Sequence, residues 1–147
     1  MRNYFVAAVF AVVFLALFRF DFGLIPEGDY RFRVAAEDGD AFAQAQLGQY
    51  YLARAISRED LEWAIYWLER AASQGEGQAI YMLGVMRAEG MYYRKNMAAA
   101  LPFFIQAAKQ DNGPAQEHLA QLFATGAFGR PNYMESYKWF LLAARHG

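Results

Sequence analysis

The 147-residue chain has no cysteine and only two histidines, His118 and His146. The first absence excludes a disulfide framework, a thiolate metal site, a cysteine nucleophile and a lipid-bearing cysteine. The second leaves little imidazole chemistry, since neither histidine belongs to a spacing that makes a metal site or a triad. An excess of positive charge is missing too. The net charge is −1, and with Arg2 and Arg19 set aside 12 of the 14 basic residues stand against 15 acidic ones, so nucleic acid is not an expected partner. Gly75-Glu76-Gly77 lacks the rest of either glycine-rich phosphate fingerprint and doubles as a turn. Glu117 beside His118 does not make a proton-transfer pair, because adjacent helix residues do not face one another. No catalytic residue, cofactor, metal or small-molecule substrate is expected, and the chain reads as a non-enzyme.

What is present in quantity is apolar surface: 56% of the residues are hydrophobic, which excludes a mainly disordered chain. Part of it is concentrated at the N-terminus. Tyr4 to Phe18 is an unbroken run of 15 apolar or aromatic residues, roughly 22 Å of helix at 1.5 Å per residue and short of the ~30 Å hydrocarbon core. Phe20, Phe22, Leu24 and Ile25 extend it past Arg19 and Asp21, and an arginine near a helix end can snorkel to the headgroups. A cleaved signal peptide competes with this reading, but no small-x-small triplet follows the run, which favours an uncleaved anchor over residues 4–25. A short N-terminal tail would stay in the cytoplasm. The expectation is therefore a single-pass protein of the inner membrane with its remaining residues in the periplasm, if the source is a Gram-negative bacterium.

Beyond the anchor the chain repeats itself with a period of 36 and no gaps. Ala43, Ala79 and Ala115 correspond, as do Leu47, Leu83 and Leu119, and Gly48, Gly84 and Ala120. The second half of the unit keeps the spacing: Asp60, Asn96 and Asn132; Ala64, Ala100 and Ser136; Trp67, Phe103 and Trp139; and the pairs Ala71-Ala72, Ala107-Ala108 and Ala143-Ala144. Apolar and small residues recurring at three and four predict two helices per unit, over 40–54, 60–74, 76–89, 96–110, 114–125 and 132–146. Asp60, Asn96 and Asn132 stand where N-caps of the second helices are expected. Gly75 and Gly147 follow helix ends, and Gly113-Pro114 ends one helix and opens the next. Ala35-Ala36 repeats the end of the unit ahead of the first full copy. The fold class is all-α, a solenoid of about three helix-pair repeats after a transmembrane helix: an anchor at 1–26, a capping half-repeat at 27–38 and repeats at 39–147. Pro102 should kink the second helix of the middle copy.

The string Ala43-x3-Leu47-Gly48-x2-Tyr51, then Asp60-x3-Ala64-x2-Trp67-x3-Ala71-Ala72-x2-Gly75, resembles the signature of the Sel-like repeats, the Sel-one branch of the tetratricopeptide-type repeats, over residues 29–147. The resemblance implies a right-handed superhelix of helix pairs whose concave surface binds proteins or peptides. One departure is Arg54, which stands where Gly90 and Gly126 supply the family's glycine-rich link in the other copies.

Recognition on such a platform would fall to positions that vary between copies. On the first helices these include Phe42, Gln46 and Gln49; Met82, Val85, Met86 and Glu89; and His118 and Gln121. With Tyr81 they make the expected partner-binding face, and methionine suits a surface that must repack around its partner. Met86 and Leu122 are also the likeliest of the variable positions to turn inward. Trp63, Trp67, Phe103, Trp139 and Phe140 read mostly as packing. Met91-Tyr92-Tyr93 followed by Arg94 and Lys95 reads as an exposed loop suited to an interface or to the bilayer. The functional expectation is a membrane-anchored scaffold for a protein or peptide partner; a structural subunit of a larger membrane assembly and an immunity or inhibitor protein are the alternatives.

Overall fold

A computed structural model describes residues 27–145 of the chain; the expected anchor at 4–25, and His146, lie outside them. The described residues hold seven helices and no strand: α1 Glu27–Glu37, α2 Ala41–Ala53, α3 Arg58–Ser73, α4 Gly77–Glu89, α5 Met97–Lys109, α6 Gly113–Thr125 and α7 Tyr133–Ala143. From Arg31 onward they form one compact unit in which each of α2 to α6 packs on the helix that follows it. Three helix pairs result, α2–α3, α4–α5 and α6–α7, as the 36-residue period requires.

The period is visible atom by atom at the turns between units. Position 39, 75 or 111 adopts a positive φ, 102° at Gly39, 86° at Gly75 and 56° at Asp111, and aspartate is among the few side chains that tolerate that region. Its N–H donates to the carbonyl of Ala36, Ala72 or Ala108, and the next N–H donates to Ala35, Ala71 or Ala107. The paired alanines thus supply the carbonyls that close each second helix. The following residue caps the next first helix. Asp40, Glu76 and Asn112 each accept, through a side-chain oxygen, from the N–H three residues on, at 2.6, 2.8 and 2.9 Å. The expectation of N-caps was limited to the second helices, and these three were missed.

Among the second helices Asn96 and Asn132 are N-caps as expected, accepting from Ala99 and Glu135. Asp60 is not. In the first unit Ser57 is the N-cap and Asp60 is the third helical residue, returning its carboxylate to the N–H groups of Ile56 and Ser57 in a capping box. Those hydrogen bonds hold its carboxyl below the usual aspartate range. The cause traces to Arg54. Gly90 and Gly126 end α4 and α6 in the left-handed conformation, φ 78° and 72°, whereas Arg54 ends α2 at φ −107°. Without the left-handed turn the link shortens to residues 54–57, and α3 begins one turn earlier in register than α5 or α7.

Pro102 does not divide its helix. It lies exposed on α5, which runs unbroken from Met97 to Lys109. Gly113 and Pro114 open α6 behind the cap Asn112, as expected, a place where proline's missing N–H costs no intrahelical bond, but they do not end α5, which closes earlier at Lys109.

The small residues at 48, 84 and 120 allow the two helices of a unit to meet. A Cβ on Gly48 would stand 2.7 Å from Leu68 Cγ and 3.1 Å from the Ala64 carbonyl; on Gly84 it would stand 2.8 Å from Phe104 Cε1 and 3.0 Å from Phe103 Cβ. Leu68 and Phe104 are fully buried as a result. Gly84→Val should therefore lose about 1–3 kcal/mol of stability through overpacking, read as a lower urea midpoint with an unchanged slope; an unchanged midpoint would refute the close-contact account.

Candidate functional site

The first helices α2, α4 and α6 each carry a stripe at i, i+4, i+7, i+11: Phe42, Gln46, Gln49, Ala53; Gln78, Met82, Val85, Glu89; and Pro114, His118, Gln121, Thr125. Every member is at least partly open to solvent, and Phe42 is 58% exposed. The positions that repeat face the other way. Ala43, Leu47, Ala79, Leu83, Ala115 and Leu119 are all buried, which is the amphipathic division expected of a helix with one packed side. The stripes stand beside one another, because α2 contacts α4 and Tyr81 of α4 reaches His118 of α6.

Met86 does not belong to this face. It is 0% exposed and packs with Ile65, Leu68 and Leu83, and Leu122 at the same position of the third unit is also buried. One residue further along from Val85 rotates the side chain about 100° around the helix, into the core. Tyr81 is a partial member. Its ring lies 5.8 Å from that of Phe104 and 6.0 Å from that of His118, and its hydroxyl is 3.4 Å from His118 Nδ1. It bridges two units and leaves only part of itself for a partner.

His118 sits with its ring 4.5 Å from that of the buried Phe104. Burial pushes its pKa below the ordinary histidine value, with the Glu89 carboxylate pulling weakly the other way. Burial likewise raises Tyr81, helped by Glu117. Glu117 itself is exposed and turned toward Gln121, whose Nε2 lies 3.5 Å away. Glu117 and His118 therefore have separate surroundings. Among the described residues no group of three or more histidines, aspartates or glutamates gathers as a metal site would need.

The loop after α4 is more anchored than its composition suggests. Tyr92 takes φ 65°, lies 4.4 Å beneath the Arg58 guanidinium and donates from its hydroxyl to Glu62 at 3.3 Å. Tyr93 and Phe103 sandwich the Arg87 guanidinium at 4.3 and 4.4 Å. These are cation–π contacts that join the loop to its neighbours. Only Met91, Arg94 and Lys95 stay exposed there, so the two tyrosines serve the fold first.

Trp67 is buried and Phe103 and Trp139 half-buried, as packing residues should be, but Trp63 and Phe140 are exposed. Trp63 joins a chain of rings, with Tyr51 at 6.3 Å and Tyr66 at 5.9 Å. Trp63 lies one turn before Trp67 on the outward side of α3, whereas Phe140 stands in the register of the buried Leu68 and Phe104 and is exposed nonetheless.

Two measurements separate the face from the core. Met86→Ala should cost about 2–5 kcal/mol by leaving a cavity, while Gln49→Ala, on the open stripe, should stay within about 0.5 kcal/mol in the same urea titration. Because folding lowers the His118 pKa, the unfolded chain binds the proton more readily. The stability due to neutral His118 is therefore fully present above its ordinary value of 6.5 and is lost as pH falls below it. Thermal midpoints between pH 7.5 and 5.5 should show a smaller drop for His118→Gln than for the parent chain; parallel curves would contradict the assignment.

The Sel1 repeat model matches three times without a break, at residues 41–76, 77–112 and 113–147. No match was found among curated proteins. Among solved structures, a Sel1 repeat protein from Oxalobacter formigenes is similar with a TM-score of 0.70 and 24% identity, over 86% of this chain and 95% of that one. The protein c5321, a protective antigen of uropathogenic Escherichia coli strains that displays an SLR fold, is 34% identical with a TM-score of 0.69 over 81% of this chain; the chain spans 26% of its length. Proteins built from such repeats generally act as scaffolds for other proteins. With three consecutive matches laid over the three helix pairs of the structure, this chain belongs to the Sel1 repeat family.

Proposed function

We propose that this protein is a membrane-anchored, non-catalytic adaptor that holds a segment of a partner protein across the first helices of its repeats. The observation that carries the reading is the division of the first helices. Positions that differ between units, Phe42, Gln46 and Gln49, Met82, Val85 and Glu89, His118 and Gln121, remain open, while the positions that recur are buried. Packing keeps Ala43, Leu47 and their counterparts alike and lets only a few buried positions differ, Met86 and Leu122 among them, so variation concentrated on the open side is what recognition of a particular partner requires. The face mixes Phe42, Val85 and Met82 with amides and a carboxylate. Such a surface suits an extended or helical segment with an apolar anchor and polar flanks.

The anchoring half of the proposal rests on the sequence of residues 4–25, which lie outside the described helices. No described helix is long and apolar enough to cross a membrane. An anchor there would hold the repeats at the bilayer, in the periplasm of a Gram-negative cell, and would raise the local concentration of any partner embedded in the same membrane.

The test is site-specific photocrosslinking in the full-length protein in cells, with the photoreactive residue at Gln49, Val85 or Gln121 and, as controls, at Glu59 and Arg70 of the second helix. The expected result is one adduct of the same mass from all three face positions, absent from the controls, weakened by Phe42→Ala and recovered in the carbonate-resistant membrane fraction. Adducts from the controls alone would overturn the face, and recovery in the soluble fraction would overturn the anchor.

A further inference from the structure

Each unit joins its two helices through a link, at residues 54–57, 90–96 and 126–132. Every first helix runs toward its link and every second helix returns from it, so the links lie along one edge of the array and the inter-unit turns along the other. The first two links meet. Tyr92 lies under Arg58, and an open recess of about 540 Å³ between them is lined by Leu52, Ile56, Leu61 and Met91 among others. The two edges differ in charge. Residues 54–58, 90–96 and 126–132 hold Arg54, Arg58, Arg94, Lys95 and Arg130 and no carboxylate. The turns at 37–40, 73–76 and 109–112 hold Glu37, Asp38, Asp40, Glu76 and Asp111 against one cation, Lys109.

Part of the link edge keeps the repeat. Arg58, Arg94 and Arg130 stand 36 residues apart, as do Ile56, Tyr92 and Phe128. Burial accounts for the recurrence of Ala43 and Leu47, but the three arginines are all exposed, so packing does not account for theirs. Arg58 faces Glu62 at 3.5 Å and Lys95 faces Glu89 at 3.7 Å. Asp60 is taken up by the capping box, which leaves Glu59 as the free carboxylate beside the links. Arg94 and Arg130 form no ion pair among the described residues. Large apolar side chains stand among these cations, Ile56 at 98% exposure, Met91 at 40% and Phe128 at 38%. Arginines with apolar tips between them match the headgroup layer of an anionic bilayer, where the cations meet phosphates and the tips reach the acyl boundary.

We infer that the link edge seats the repeats on a bilayer surface containing anionic lipids. Further repeats before α1 or after α7 would lengthen this edge and not cover it, because units stack through helix faces, α3 on α4 and α5 on α6. The inference extends the anchored-adaptor reading without depending on it. α1 closes at the turn 37–40 as α3 closes at 73–76, so its Arg31 end is directed toward the link edge, and residues 4–25 precede that end in the chain. Seated this way, the first helices stand upright on the bilayer and their open stripes rise from it, free for a partner segment. An acidic protein would satisfy the arginines but leaves Ile56, Met91 and Phe128 without a use.

The test exploits the absence of cysteine. The full 147-residue chain carrying Ile56→Cys, Phe128→Cys or, at the opposite edge, Lys109→Cys is labelled with the environment-sensitive dye NBD. It is reconstituted into vesicles of phosphatidylcholine with phosphatidylglycerol, or of phosphatidylcholine alone, each doped with spin-labelled lipid. In the anionic vesicles both link positions should show blue-shifted emission quenched by the spin label, and position 109 should show neither. High salt, which screens exposed charges, or phosphatidylcholine alone should remove most of the quenching. So should Arg94→Glu combined with Arg130→Glu, with unchanged helicity by circular dichroism because neither arginine has an ion-pair partner to lose. No quenching at the link positions, equal quenching at position 109, or quenching that survives the double substitution overturns the proposal. Carbonate extraction separates it from the anchor: a chain that resists carbonate without link quenching overturns the seated edge alone, whereas one that shows link quenching and is then stripped by carbonate supports the edge and removes the anchor. A photocrosslinker placed at Ile56 that captures an acidic protein in cells, with no quenching by lipid, also overturns the proposal and assigns the edge to that protein.

Discussion

Everything in the repeat array depends on how closely two helices of a unit can approach. At Gly48 and Gly84 the first helix has no side chain, and Leu68 and Phe104 of the second helix occupy the space a Cβ would need, at 2.7 and 2.8 Å. That contact buries the same side chains that the next unit then covers, so packing within a unit and packing between units share one set of residues. Such an array gains stability from nearest neighbours only, each pair held by its own seam and by the seam it shares.

The seam also explains where freedom remains for recognition. One side of each first helix must meet Leu68 or Phe104 and is therefore small and constant. The opposite side is only lightly engaged by the array, as where Gln78 accepts from Asn112 at 3.0 Å, and can differ from unit to unit, as Phe42, Gln78 and Pro114 do. His118 marks the boundary: it is variable by position yet lies against Phe104 and Tyr81, so part of its surface answers to the core. The buried Gln44 and Gln116 show the same constraint acting on polar groups. Each donates from Nε2 to an alanine carbonyl eight residues back, Ala36 or Ala108. Gln44 Oε1 in turn accepts from Gln74 at 2.8 Å, whereas Gln116 Oε1 meets no donor among the described residues.

The departures from regularity have local causes. Arg54 replaces a left-handed glycine, and the shorter link that results moves the start of α3 back by a turn and turns Asp60 from a cap into the closing member of a capping box. The wider link of the second unit, from Gly90 to Asn96, uses its extra residues to bring Tyr92 under Arg58 and Tyr93 onto Arg87. What reads in the sequence as an exposed aromatic loop is a pair of cation–π clamps, Tyr92 with Arg58 of the preceding unit and Tyr93 with Arg87 and Phe103 of its own, and no periodicity announces such contacts because the loop differs from unit to unit.

The sequence by itself determined the number of units, their period, the type of every described helix and most boundaries to within two or three residues, because a 36-residue repeat compares each position with two others under the same packing demands. It also indicated which first-helix positions vary. Only the tertiary structure decided which of those face outward. Val85 and Met86 are adjacent, both apolar and both variable, yet one is half-exposed and the other sealed; the difference lies in about 100° of helical rotation relative to a neighbour that the sequence does not locate. The same holds for α7: Phe140 reads as a packing residue by register, and only the tertiary structure shows it 43% exposed, since Leu68 and Phe104 are sealed by a helix that follows them.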